Sequence, residues 1–241
     1  MTEEAFKLIK EEKKNKTGRL QLSNIGLDHI PEELLEMEWL TELFLSDNNI
    51  KRIENLDSLV NLEILAVINN HLKKIENLEN LVDLKSLLLN ENQITLIENL
   101  ETLTSLEGLN LGDNLIDEIK NLDRLTELKA LDLRANRIDE IKNLNSLRKL
   151  ESLELCWNYI DEIENLEILV NLKDLCLFRN RLTEIKNLST LSNLMFLNLA
   201  CNKIPDPKIS DDFPKMQYMS LDSQFETPDF VRIPWKTINK K

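Results

Sequence analysis

The chain has 241 residues, 43 acidic against 30 Lys and Arg, a formal net charge of −13, 42% hydrophobic and 5% aromatic content. That length buries a sizeable core, that acidity opposes nonspecific nucleic-acid binding, which needs clustered cations, and no apolar run approaches the ~18 residues of a membrane span. Four glycines are too few for phosphate-cradling loops, and three irregularly spaced cysteines, with no apolar leader near Met1, point to reduced thiols in the cytoplasm. In chain order, Thr2 to Lys14 reads as an amphipathic helix whose Ala5, Phe6, Leu8 and Ile9 are available to cover a core, so residues 1–16 form an N-terminal helical cap. Leu20, Leu22 and Leu27 then give an incomplete copy of a repeat, with Ile25 where later copies have asparagine.

From there the period is strict. Asn48, Asn70, Asn92, Asn114, Asn136, Asn158, Asn180 and Asn202 fall at intervals of 22, each behind the same apolar frame. One unit reads Leu128, Leu131, Leu133, Asn136, Ile138, Ile141, Leu144, Leu147. The alternation around Leu131 and Leu133 is that of a strand, which sends both leucines inward and Asp132 and Arg134 to the opposite face. Asparagine just after the strand turns the chain, and its buried amide can bond backbone groups that the turn leaves unpaired. A second ladder, Asn55, Asn77, Asn99, Asn121, Asn143, Asn165 and Asn187, is followed each time by Leu, an N-cap signal that predicts short helical turns. Met216, Met219 and Leu221 keep the register, with Gln224 in the asparagine slot. Residues 17–224 thus predict about ten turns of a solenoid, closed by a proline-containing capping tail over 225–241.

Read as LxxLxLxxNxIxxIxNLxxL, this frame resembles the leucine-rich repeats of the 22-residue subclass, over roughly residues 40 to 204. The subclass occurs in the leucine-rich regulatory subunit of type-1 protein phosphatase and in bacterial internalins. The stretch Thr17-Gly-Arg-Leu-Gln-Leu-Ser-Asn-Ile-Gly-Leu-Asp-His-Ile-Pro31 is similar to the repeat starts of bacterial Roco-type proteins, although the GxxxxGK[ST] of a GTPase is absent. The resemblance implies an α/β solenoid with a curved parallel sheet on its concave face, short helical turns on its convex face, and a role as a protein-recognition scaffold.

In such a scaffold the outward strand positions are free to vary. Near the start, Phe44, Ile64, Ile68 and Leu88 form an apolar patch that a partner, the N-terminal helix or a second subunit could cover. In the middle lie Gly108, Asn110 and Gly112, where the glycines mark either close approach of a partner backbone or tolerated small residues. Later come Arg134, Trp157, Tyr159, Phe178, Arg179 and Phe196, residue types enriched at interface hot spots and equally able to stack on one another. The acidic pairs Asp117-Glu118, Asp139-Glu140 and Asp161-Glu162 stack in register near Lys120, Lys142 and Lys186, either as a solvated edge or as a strip for a basic partner.

Catalytic constellations are missing. His29 and His71 lie about two turns apart with no nucleophile beside them. Cys156 and Cys176 fall on neighbouring strands, where free thiols packed against aromatics are expected, with Cys201 left over. No metal, cofactor, small-molecule substrate or membrane is expected. The run Arg232-Ile-Pro-Trp is similar to the peptide that docks on type-1 phosphatase, but Pro234 lacks the N–H such docking uses. The expected function is a cytoplasmic, non-catalytic scaffold that binds another protein through its concave sheet. The alternatives are a regulatory subunit of a phosphatase or GTPase, or an exported internalin-like protein.

Overall fold

The computed structural model describes residues 2–205 and 213–221; the capping tail over 225–241 and its Arg232–Trp235 run lie outside these. One helix, α1 (Glu3–Asn15), precedes β1 (Arg19–Gln21), a single 3-10 turn (Glu32–Glu36), β2 (Glu42–Phe44), β3 (Ile64–Ala66), β4 (Ser86–Leu88), β5 (Gly108–Asn110), β6 (Ala130–Asp132), β7 (Ser152–Glu154), β8 (Asp174–Cys176), β9 (Phe196–Asn198) and β10 (Tyr218–Ser220). All ten strands pair in parallel and in sequence order. The pairing keeps one register, Leu109↔Leu131↔Leu153↔Leu175↔Leu197, so identical positions of successive repeats lie side by side.

Inward leucines make that register the stable one. Leu131 and Leu133 of the template unit, with Ile138, Ile141, Leu144 and Leu147, are all at most 1% exposed, and each such side chain is worth about 1.5–3 kcal/mol on burial. A slip of one residue along the strand would turn Leu131 and Leu133 to the opposite face. The backbone behind them is held by the first asparagine ladder, as its spacing suggested. Asn136 is 6% exposed. Its Oδ1 accepts from Ile116 N at 2.9 Å, while its Nδ2 donates to Leu111 O at 2.9 Å and Leu133 O at 3.1 Å. Each asparagine therefore ties its own turn to the one before. The first copy, with Ile25 in the slot, borrows from its neighbour: Asn48 Oδ1 accepts from Ile25 N and Leu27 N.

The second ladder works differently from an N-cap. Asn55, Asn77, Asn99, Asn121, Asn143, Asn165 and Asn187 all have φ between 58° and 61°, the left-handed region that asparagine tolerates best among residues with a side chain. Their Nδ2 groups donate across to the preceding turn, as Asn143 does to Ile119 O at 2.7 Å. An N-cap side chain would instead accept from extended backbone. Linked i→i+3 turns follow, Leu59 N to Leu56 O and Leu62 N to Leu59 O at 2.9 Å each. Apart from the Glu32–Glu36 turn, the convex side of the described residues carries such turns in place of helices.

At the start, α1 packs on β1 with Ala5 and Ile9 inward and Leu8 half-buried against the core, while Phe6 is 54% exposed. Glu12 is the lock: buried to 5% exposure, it accepts from Gly18 N at 2.9 Å, Trp39 Nε1 at 3.1 Å and Thr17 Oγ1 at 2.5 Å. At the far end Met219 pairs in register with Leu197, and Met216, Met219 and Leu221 extend the core half-buried.

Replacing Asn136 with Ala strands Ile116 N, at a cost of about 1–3 kcal/mol, while Leu111 O and Leu133 O each keep one donor, from Asn114 Nδ2 and Asn158 Nδ2. The expected result is a loss of about 2 kcal/mol in urea unfolding, with hydrogen exchange accelerated in β5 and β6 before either end. Unchanged unfolding would mean that water replaces the amide.

Candidate functional site

Counting along each strand, the concave face has three outward columns, bounded by a fourth at the corner. Its floor is the row Phe44, Ala66, Leu88, Asn110, Asp132, Glu154, Cys176, each opposite the next. This row changes from apolar to acidic along the rod.

In the apolar zone Phe44, Ile64, Ile68 and Leu88 are all half-buried around Ala66, and Arg19 lies over the Phe44 ring at 4.9 Å. The central zone departs from expectation. Asp132, although on the outward side of its strand, is fully buried, and Arg134 folds back on it, Nε to Oδ2 at 3.4 Å. Gly112 explains how. A Cβ there would stand 3.1 Å from Arg134 Cγ and 3.2 Å from Asp132 Oδ1, so the missing side chain is the space the arginine uses. Gly108 has only Ser86 Oγ near it, at 3.9 Å, and meets no such demand. Asn110 and Asp132 accept through Oδ1 from the N–H two residues on, Gly112 and Arg134, at 3.0 Å each. Asp132 Oδ2 receives no hydrogen bond.

Burial pushes the Asp132 carboxyl up to about 6 against the pull of Arg134. Burial likewise raises Glu154 to about 7, with Asp132 and Asp174 adding repulsion and Arg134 opposing it. Next in the row, Cys156 and Cys176 are joined in a disulfide between β7 and β8, with Cα atoms 5.5 Å apart. This corrects the free-thiol expectation: the two residues are diagonal neighbours across a parallel pair, and that offset brings their Cβ atoms within bridging reach. Glu154 Oε2 stands 3.3 Å from Cys156 Sγ.

The later aromatic zone separates into two rims. On one, Trp157 meets Phe178 edge-on with centroids 6.1 Å apart, Arg179 stacks over Trp157 at 4.0 Å, and Arg181 covers Tyr159 at 4.5 Å. On the other, Phe196 is 42% exposed and neighbours Tyr218, 53% exposed, one strand on. Self-stacking and exposure coexist, since Tyr159 keeps 44% of its surface open. Arg181, Tyr218 and Glu154 escaped notice in the sequence, yet each lies 22 residues beyond a residue already singled out.

The corner column carries the strongest signal. Asp47, Asn69, Glu91, Asp113, Ala135, Trp157, Arg179 and Cys201 all have φ between 51° and 59°. Their backbones are pinned by the sheet, as Trp157 N is by Phe178 O at 2.8 Å. Three of the four early turns place Asp or Asn there, Asp47, Asn69 and Asp113, which bear this conformation cheaply. Trp157 and Arg179 bear it at about 1–2 kcal/mol each. Outside this face, the acidic edge is partly neutralised: Lys142 bridges Glu118 and Glu140 at 3.4 and 2.7 Å, and Lys186 bridges Glu162 and Glu184 at 3.0 and 2.6 Å.

A family model described as leucine-rich repeats in two copies matches residues 38–80. Among solved structures, internalin C2 of Listeria monocytogenes is 31% identical over 74% of this chain and 79% of its own, with a TM-score of 0.69. An internalin, InlF, from the same organism is 31% identical over 74% of this chain and 52% of its own, TM-score 0.66. A TLR13–ssRNA13 complex aligns at 27% identity over 83% of this chain and 31% of that one, TM-score 0.72. The chain thus spans about half of one internalin structure and under a third of the TLR13 chain. A search of curated proteins gives no match.

Because Asp132 and Glu154 bind protons more tightly folded than unfolded, their contribution to stability is greatest below pH ~4 and is lost as pH rises towards 7. Glu154→Gln removes part of this loss. Its melting temperature should exceed that of the unmodified protein by about 2–5 °C at pH 8, with the gap closing towards pH 4. Parallel pH profiles would show that Glu154 is solvated.

Proposed function

The chain belongs to the leucine-rich-repeat family, and on that premise we propose that it is a non-catalytic scaffold that binds another protein through the later turns of its concave sheet. The observation that carries this reading is the corner column. Trp157 and Arg179 occupy left-handed positions that the same chain fills with the better-suited Asp47, Asn69 and Asp113 in earlier turns, though also with Glu91, Ala135 and Cys201, so stability is given up to place an aromatic and a guanidinium at the rim. Beside them Phe178, Tyr159 and Arg181 enlarge a surface of the residue types that dominate interface energetics. The floor between the rims is acidic, and the net charge of −13 favours a protein partner with basic character over a polyanion such as RNA. The apolar patch of Phe44, Ile68 and Leu88 forms a second contact zone about four turns away.

A second reading has its own support. The Cys156–Cys176 disulfide removes the premise on which the cytoplasmic expectation rested, and such bridges persist in oxidising surroundings. Together with the internalin likeness, it favours a protein that meets its partner outside the reducing cytoplasm.

The test is affinity capture with the unmodified protein and with Trp157→Asn/Phe178→Ala. Asn suits the left-handed corner, so the variant should keep its fold by circular dichroism while losing its partner by 100-fold or more, about 3 kcal/mol. Equal capture by both would move recognition off this rim.

A further inference from the structure

We propose that Cys156, Cys176 and Glu154 form a binding site for a thiophilic divalent cation, Zn2+ being the fitting ion, which becomes available when the disulfide is reduced. The donor atoms of these three residues all lie within 4.8 Å of one another. Zn–S bonds of ~2.3 Å and Zn–O bonds of ~2.0–2.2 Å place tetrahedral donors roughly 3.4–3.8 Å apart. Side-chain rotation alone therefore brings them onto one ion once the sulfurs are free to separate.

The backbone presents the set from rigid elements. Glu154 and Cys176 face each other across the β7–β8 register, and Cys156 is two residues beyond Glu154 on the same side of the strand. Two thiolates and one carboxylate are a borderline-soft donor set that selects zinc over magnesium or calcium. The next residue in the row adds the field. Asp132, paired in register with Glu154, is fully buried with an oxygen that accepts no hydrogen bond; Arg134 is the cation paired with it, against repulsion from Asp113 and Glu154. A cation one strand away compensates that carboxylate as well. Cys176 is half-exposed, so the fourth coordination position opens on the concave face, for water or for a partner's side chain.

The exchange balances. A dithiol reductant gives two electrons and two protons to the Cys156–Cys176 bond and is itself oxidised to a disulfide. Zn2+ then displaces the two thiol protons. Reoxidation of the thiolates by a disulfide or a peroxide reforms the bond and releases the ion. The same pair of strands is thus bridged covalently in oxidising surroundings and by metal in reducing ones.

The experiment uses the full chain, reduced with a phosphine, freed of metal and titrated with Co2+. A thiolate-to-cobalt charge-transfer band should grow to one equivalent and vanish on adding Zn2+. Cys156→Ser and Cys176→Ser, folded by circular dichroism, should each abolish the band, Glu154→Gln should weaken Co2+ binding by about tenfold or more, and Cys201→Ser should leave it intact. The unreduced protein should give none. The proposal is overturned if the reduced protein shows no band, if the band survives Cys156→Ser, or if Cys201→Ser removes it.

Discussion

A backbone that coils at constant pitch leaves N–H and C=O groups pointing into its own interior, where neither water nor a strand partner reaches them. The buried asparagine amide answers this constraint, and the rest of the solenoid depends on it. Asn136 offers one acceptor and two donors, and the turn presents one N–H and three carbonyls within reach. A leucine there would satisfy none of them. Because the amide reaches into the preceding turn, stacking and turning are one event, and the ten strands share a single register. Glu12 does the equivalent at the N-terminal end, gathering Gly18 N, Trp39 and Thr17 onto one carboxylate where no earlier turn exists.

That rigid frame leaves the concave face free to carry residues that harm no core. It uses the freedom unevenly. The floor progresses from Phe44, Ala66 and Leu88 to Asn110, Asp132 and Glu154, so one continuous sheet offers an apolar bay and an acidic one. In the acidic bay the side chains are occupied with each other: Arg134 lies in the space left by Gly112 and meets Asp132. The rims stand higher, and there Arg179 stacks over Trp157 and Arg181 over Tyr159, whose ring is 44% exposed.

The repeat was legible in the sequence because burial imposes a period. Leu131 and Leu133 announce the strand, Asn136 announces the turn, and the pairing register follows from the 22-residue spacing. What stayed hidden depends on neighbours a full turn away. Asn143 looks like an N-cap because its local context does; its left-handed φ and its bond to Ile119 O exist only with the previous coil in place. Arg134 reads as an exposed hot-spot residue until Gly112, 22 positions earlier, is seen to make room for it. Cys156 and Cys176 are 20 apart, two short of the repeat, and that small offset is the diagonal that a disulfide spans. Phe6, placed among covering residues by helical periodicity, is 54% exposed because the helix face turned to the first coil is the one that carries Ala5, Leu8, Ile9 and Glu12.

The corner column has a metrical consequence. Its residues share one backbone conformation and recur once per strand, so their side chains leave the rim at a fixed spacing of about 4.8 Å. The rim is a ruler whose graduations cannot be adjusted, since moving one mark would break the hydrogen bonds that join its turn to the next. Whatever lies along it must repeat at a commensurate interval or touch it at one or two marks only, and the aromatic and guanidinium groups are gathered on two adjacent ones.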